Sequence, residues 1–302
     1  MNCIYEVKLN PFYLTVEELC QLVRFKNLKS VFSKKMYGNH KLMFMVLYKE
    51  KTQMSWNRFI EFANEINLPR QLDIKKMPVK GTFIEFIKRT PKTMFEEFVR
   101  ACRKLLNIKD VTAAIDGTGF SNTNPSQYYQ NRINAERVKN YTKTVFLSDI
   151  NTKLILATET FSDHRHETTT FKPMVKQLAS CLKTILADKG YDSMSNRKLC
   201  WKNNIEVHIP FRTFKSQKDR LDNQFYSKQR RNALAKFEKT IYNKRALAES
   251  VNSAIKQTLG GFVRARKAEN QQKTVTIKAI TYNIEHIKRT IKIWIKIQIQ
   301  GI

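Results

Sequence analysis

Two aspartates of this 302-residue chain stand where an apolar run gives way to a glycine-containing segment, Asp116 in AAIDGTGF and Asp188 in TILADKGYDS. At the end of a strand in an open α/β sheet, a carboxylate can project into the functional crevice without being buried as an unpaired charge. The glycines that follow let the chain turn tightly at both points. An Asp before a turn is also an ordinary turn former; what marks this pair as candidate catalytic groups is its placement on two strands of one domain. A third acid lies in YNKRALAESVNSAIK, where offsets of three, four and seven put Tyr242, Arg245, Glu249 and Lys256 on one helical stripe. Glu249 is thus held between basic and phenolic groups that face the same way. The plain reading of Arg245 and Glu249 is a surface i,i+4 ion pair worth about 0.2–0.5 kcal/mol.

The elements that must position these groups follow from hydrophobic periodicity. Val111 to Ile115, Thr142 to Leu147 and Lys153 to Thr160 read as three strands in a meander, the last two alternating and β-branched. Thr168 to Leu182 has helical spacing, Thr184 to Ala187 is a short strand ending at Asp188, Ser193 to Asn203 is helical, and Ile205 to Phe211 is a fifth strand. A basic connector, Thr213 to Arg231, leads to a long helix over about Ala233 to Thr258. This order is that of a ribonuclease H-like α/β domain, a mixed five-stranded sheet flanked by helices. It predicts a catalytic domain over residues 109–290, a small helical DNA-binding domain over residues 1–108, and a tail over residues 291–302. In the N-terminal part Thr15 with Glu18, Ser55, and Thr93 with Glu96 read as helix starts. Ile291 to Ile299 alternates at a period of two, which reads as a strand or as the continuation of the helical pattern from Thr274.

Charge decides the partner class. Lysine and arginine total 55 against 26 acids, a net +29, far beyond what solubility needs and costly in self-repulsion unless a polyanion relieves it. A membrane surface is the weaker candidate: the longest apolar runs, such as Leu42 to Tyr48, fall well short of the ~20 residues that span a bilayer. The first residues lack the basic and apolar regions of an export signal, so a cytoplasmic protein, nucleoid-associated when bound to DNA, is expected. Five cysteines, Cys3, Cys20, Cys102, Cys181 and Cys200, are widely spaced without a C-x-x-C pair, which argues against a disulfide framework and against zinc. Basic residues crowd the first hundred positions, among them Lys34, Lys35, Lys75, Lys76, Lys88, Arg89 and Lys104, in keeping with a face that tracks phosphates.

The stripe Tyr242-x2-Arg245-x3-Glu249-x6-Lys256 resembles, at every position and gap, the Y-R-E-K motif of insertion-sequence transposases of the DDE type. IDGTGF and ADKGYDS match the family's two aspartate strands, and GGFVRARK, Gly260 to Lys267, stands where such enzymes carry a basic stretch. The resemblance covers about Asp110 to Ile287. It implies a metal-dependent DNA nuclease and strand transferase in which Asp116, Asp188 and Glu249 hold two Mg²⁺ ions, with Mn²⁺ a possible substitute. It implies that Tyr242, Arg245 and Lys256 grip phosphates near the scissile position and that Arg264, Arg266 and Lys267 extend that contact. Terminal inverted repeats and target DNA would be the double-stranded partners, and action on two ends implies a homodimer at synapsis. About sixty residues separate Asp188 from Glu249, too few for the large β insertion of some relatives, so hairpin-making chemistry is not expected.

Other readings compete. A ribonuclease H-like nuclease or resolvase would cut without joining, and an inactive derivative would only bind DNA. His164-Arg-His166-Glu167 reads as a polar loop, a substrate contact or a helix cap rather than a metal site, and the polar segment Ser121 to Asn140, with Tyr128, Tyr129 and Arg132, reads as a DNA-ordering or ordinary surface loop. A tyrosine recombinase is excluded by order: the one H-x-x-R, His286 to Arg289, has no tyrosine after it.

Overall fold

A computed structural model describes residues 10–28, 36–122, 141–161, 166–211, 232 and 235–300, with side chains as far as 289. The polar segment with Tyr128, Tyr129 and Arg132, the connector Thr213 to Arg231, and Lys34, Lys35 and His164 lie outside the described residues. The chain divides into two compact units that are not consecutive blocks: residues 1–106, 120–142 and 255–302 form one, residues 107–119 and 143–254 the other. One change of unit falls between residues 106 and 107, and the C-terminal residues group with the N-terminal helices.

The helical unit contains α1 (Pro11–Leu22), α2 (Asn39–Thr52), α3 (Trp56–Glu65), α4 (Leu68–Gln71), α5 (Lys80–Arg89) and α6 (Lys92–Leu105). Asn10 caps α1 by accepting from Phe12 N at 2.9 Å, so the helix opens before the Thr15–Glu18 box, and the Thr15 hydroxyl donates to Pro11 O instead. Ser55 caps α3 as expected. The last helix, Ala268–Gln300, packs on α6, α2 and α1. It runs through the segment that alternates at a period of two, so helix continuation prevails there and no separate strand forms. A buried ion triad ties α2 to this helix: Glu50 accepts from Lys49 at 2.7 Å and from Lys278 at 3.1 Å, all three residues being at least nine-tenths buried.

The sheet is built from β1 (Val111–Ser121), β2 (Tyr141–Asp149), β3 (Ile155–Phe161), β4 (Leu182–Ala187) and β5 (Glu206–His208), in the spatial order β3-β2-β1-β4-β5. Strands β1, β4 and β5 are parallel, and β2 and β3 antiparallel, which makes the sheet mixed. This is the ribonuclease H-like arrangement read from the sequence. Helix α7 (Thr168–Leu178) connects β3 to β4, and α8 (Met194–Lys202) connects β4 to β5. Parallel pairing of β1 with β4 demands such a crossover, and helix-forming segments supply it. Beyond β5 come α9 (Lys239–Asn243) and α10 (Ala246–Leu259), followed by α11, the Ala268–Gln300 helix. Among the described residues no helix is long and apolar enough to cross a membrane. Cys20, Cys102, Cys181 and Cys200 are buried free thiols, and Cys3 lies outside the described residues.

Candidate active site and basic cleft

Asp116 and Asp188 are set side by side by strand register. Ile115 of β1 pairs with Ala187, the last residue of β4, so Asp116 on β1 and Asp188 just past the end of β4 are the next residues along the two segments. Below them, Ala114 and Leu186 pair across the same two strands and pack with Ile150 and with Ala248 of α10. Side chains two apart on a strand share a face, so Asp116 follows Ala114 on the face where Ala248 packs. Glu249 is the next residue along the helix. A small apolar cluster is thus the floor that draws the three acid-bearing elements together.

The helix expected over 233–258 is interrupted. It breaks at Lys244 and Arg245, where Arg245 N bonds to Tyr242 O at 2.9 Å and Ala248 N to Arg245 O at 2.8 Å. These i to i−3 bonds tighten the backbone between α9 and α10, and Arg245 occupies that turn. Its guanidinium lies between two of the acids, Nη1 donating to Asp116 Oδ1 at 3.2 Å and Nη2 to Glu249 Oε1. Tyr242 lies in the last turn of α9 with its ring centroid 5.6 Å from that of Phe237. Burial raises the Asp116 carboxyl above its ordinary range, the charges of Glu249 and Glu167 act in the same sense, and Arg245 and Asn252 pull it down without cancelling the rise.

Two groups that sequence reasoning passed over, Asn252 and Arg197, and one that it read as part of a polar loop, Glu167, complete the surroundings. Asn252 on α10, 7% exposed, donates from Nδ2 to Asp116 Oδ2 at 2.7 Å, while its Oδ1 has no hydrogen-bond partner among the described residues. It stands three residues past Glu249, on the stripe side of the helix, which is the signal that could have found it. Glu167 precedes α7 and pairs with Lys143 at 3.0 Å. Arg197, fully buried, donates to Asp192 Oδ1 at 3.0 Å and Ile209 O at 2.6 Å, bracing the turn Lys189–Tyr191 that follows Asp188. Asp188 caps that turn by accepting from Lys189 N at 2.6 Å. His166 receives the Thr168 N–H at 3.4 Å, the helix-capping role among those read for it.

The donor set is carboxylate oxygen, which suits Mg²⁺ and Mn²⁺. As the side chains stand, protein cations neutralise these acids, Arg245 between Asp116 and Glu249 and Lys143 on Glu167. Among the described residues no three His, Cys, Asp or Glu side chains gather closely enough to enclose an ion. A guanidinium bridging two carboxylates nonetheless occupies the place of a positive charge shared by both. The donor chemistry suits a divalent cation, while in the arrangement shown the Arg245 guanidinium is the cation between Asp116 and Glu249.

The remaining residues of the sequence motif belong to the helical unit. Lys256 Nζ lies 5.7 Å from the Phe120 ring centroid. Arg264, Arg266 and Lys267 are exposed and line a cleft of about 700 Å³ together with Lys80, Lys88 and Trp56.

Residues 108–284 match the family model described as the transposase DDE domain. Similar solved structures include a piggyBac transposase synaptic complex with hairpin DNA, at 10% identity and TM-score 0.41, covering 95% of this chain and 75% of that one. A Mos1 transposase paired-end complex with left transposon end is similar at 13% identity and TM-score 0.25, covering 77% and 82%. A Drosophila P element transposase strand transfer complex is similar at 10% identity and TM-score 0.29, covering 88% and 70%. Among curated proteins, none matches the chain. Because the family model spans more than half of the 302 residues and takes in every acid set beside the Arg245 guanidinium, the chain belongs to the transposase DDE domain family.

Proposed function

We propose that this protein is the transposase of an insertion sequence, which binds terminal inverted repeats, cleaves DNA at the element's ends and joins the freed 3′-hydroxyls to target DNA. Asp116, Asp188 and Glu249 are the catalytic residues and would hold two Mg²⁺ ions. When bound, such ions supply a nucleophile at neutral pH and charge stabilisation at the leaving oxygen of an in-line phosphoryl displacement. The chain's own residues do the rest. Asn252 fixes the orientation of Asp116. Arg245, released from the two carboxylates, takes a DNA phosphate through its fork, a geometry guanidinium groups favour. Tyr242 and Lys256 contact phosphates near the scissile bond, and Arg264, Arg266 and Lys267 extend the contact. Two chains act together at synapsis because two ends are joined.

The observation that supports this reading is the Arg245 guanidinium shared by Asp116 and Glu249, beside the strand end that carries Asp188. Carboxylates gathered around one point repel by several kcal/mol at an effective dielectric of about 20, so a cation is required whatever its identity. The test is incubation with labelled duplexes taken from the DNA flanking the coding region, with Mg²⁺ or with a chelator. Joined products that need the metal are expected. Nicks without joining would indicate a nuclease or resolvase, and DNA binding without cleavage an inactive derivative.

A further inference from the structure

We infer, resting on the reading of Asp188 as a catalytic acid, that Arg197 and Asn196 of α8 are positioning residues that hold Asp188 in place through Asp192 and Tyr191. Among the described residues the sheet stops short of Asp188: the pairing of β4 ends at Ala187 on the β1 side and at Leu186 on the β5 side. The turn Lys189–Tyr191 engages Asp188 instead, and does so twice. Lys189 N donates to Asp188 Oδ1 at 2.6 Å, and Tyr191 N to the Asp188 carbonyl oxygen at 2.9 Å. The carboxylate and main chain of Asp188 are therefore set by that turn. Two adjacent side chains of α8 clamp its far end. Asn196, 4% exposed, donates from Nδ2 to Tyr191 O at 2.9 Å. Arg197 donates to Asp192 Oδ1 from Nε at 3.3 Å and from Nη2 at 3.0 Å, and Asp192 N donates back to Lys189 O at 3.1 Å.

Stability alone is a poor explanation for this clamp. The Arg197 and Asp192 side chains are 0% and 1% exposed. Desolvating two such charges can cost more than their attraction returns, and apolar residues of similar volume often serve stability as well or better. Fixed geometry is what the ion pair adds over apolar packing, because the planar guanidinium holds each partner in a set direction. Here the same Nη2 that reaches Asp192 also donates to Ile209 O at 2.6 Å, and the guanidinium carbon lies 4.0 Å from the Phe211 ring centroid. Arg197 thus ties the turn after Asp188 to the chain leaving β5. Placement of this kind matters to the chemistry proposed for Asp188, since a misplacement of about 1 Å at a reacting group can cost about 100-fold in rate.

The experiment combines Arg197→Met with Asp192→Leu in the full chain, which removes both charges together and leaves neither stranded. Melting temperature, duplex affinity in chelator, and the rate of Mg²⁺-dependent cleavage of flank-derived duplexes at saturating DNA are compared with wild type. Melting temperature and duplex affinity should stay near the wild-type values while the cleavage rate falls by about 10–100-fold. Amide hydrogen exchange should quicken at Lys189 and Tyr191, whose N–H groups hold Asp188, but not at Ile185 within β4. Should the double variant fail to fold, Asn196→Ala, which disturbs no charge, takes its place with the same expected pattern. Cleavage at the wild-type rate in a folded variant overturns the positioning role and spares Asp188 as a catalytic acid. A slower rate with unchanged exchange at both amides, or with duplex affinity lost in step, overturns it too. Wild-type protein that does not cleave overturns the reading of Asp188, and this inference with it.

Discussion

At the scale of single residues, Asp116 is the most heavily constrained of the three acids. Arg245 and Asn252 hold its two oxygens separately, Oδ1 to the guanidinium and Oδ2 to the amide. Asn252→Ala removes the amide while leaving all three acids, and is expected to reduce metal-dependent DNA cleavage by about 10–100-fold, the range seen when a partner that orients a metal ligand is removed. Cleavage rates at saturating Mg²⁺ check this, with a melt to show that the variant folds. Asp116, Asp188 and Glu249 stand out as candidates because strand ends and helical spacing leave a pattern in the sequence. Glu167 was read only as part of a polar loop or helix cap, since an acid just before a helix is the common residue there for electrostatic reasons alone. Its proximity to Gly117 is a tertiary fact that no local spacing encodes.

At the scale of elements, the five strands and the order of their connecting helices were readable from alternation and β-branching. The N-terminal helices were harder. In α2, Leu42 to Leu47 are all buried, so the segment has no polar face and its run of apolar residues carries no period. The Arg245 turn was hidden for the opposite reason, since the residues on either side keep a helical period across the break. The triad of Glu50, Lys49 and Lys278 makes α2 and α11 interdependent. Burial alone would raise the Glu50 carboxyl, but the charges and hydrogen bonds of Lys49 and Lys278 outweigh it and hold the group below the ordinary carboxylate value. A depressed carboxyl contributes stability that is fully present above its unfolded value and is lost as pH falls through its folded value. Glu50→Gln strands two buried ammonium groups and should cost about 3–5 kcal/mol at neutral pH. Denaturation followed from neutral pH into acid should show wild type losing that advantage only in the acid part of the range. An advantage that persists unchanged at the lowest pH would contradict the ionic account.

At the scale of the whole molecule, the excess of +29 and the exposed arginines and lysines of the cleft belong together. Composition announced a polyanionic partner, but only the fold gathers Arg264, Arg266 and Lys267 with Lys80 and Lys88, which lie far apart in sequence. Duplex affinity should fall linearly with the logarithm of salt, and replacing Arg264, Arg266 and Lys267 by alanine should reduce that slope by about 0.9 for each phosphate no longer neutralised. Filter binding in chelator over a salt series measures it apart from catalysis. The division into two units, with the C-terminal helix returning to the N-terminal helices, could not be read from chain order because it depends on which apolar faces find each other. The central claim is that three acids from β1, β4 and α10 act as one cation-binding centre, and Asp188 is the member whose place rests on strand register. The direct measurement is Mg²⁺-dependent cleavage and joining of flank-derived duplexes by Asp188→Asn beside wild type: joined and nicked products should vanish in the variant while duplex binding persists, and cleavage at the wild-type rate would contradict the account.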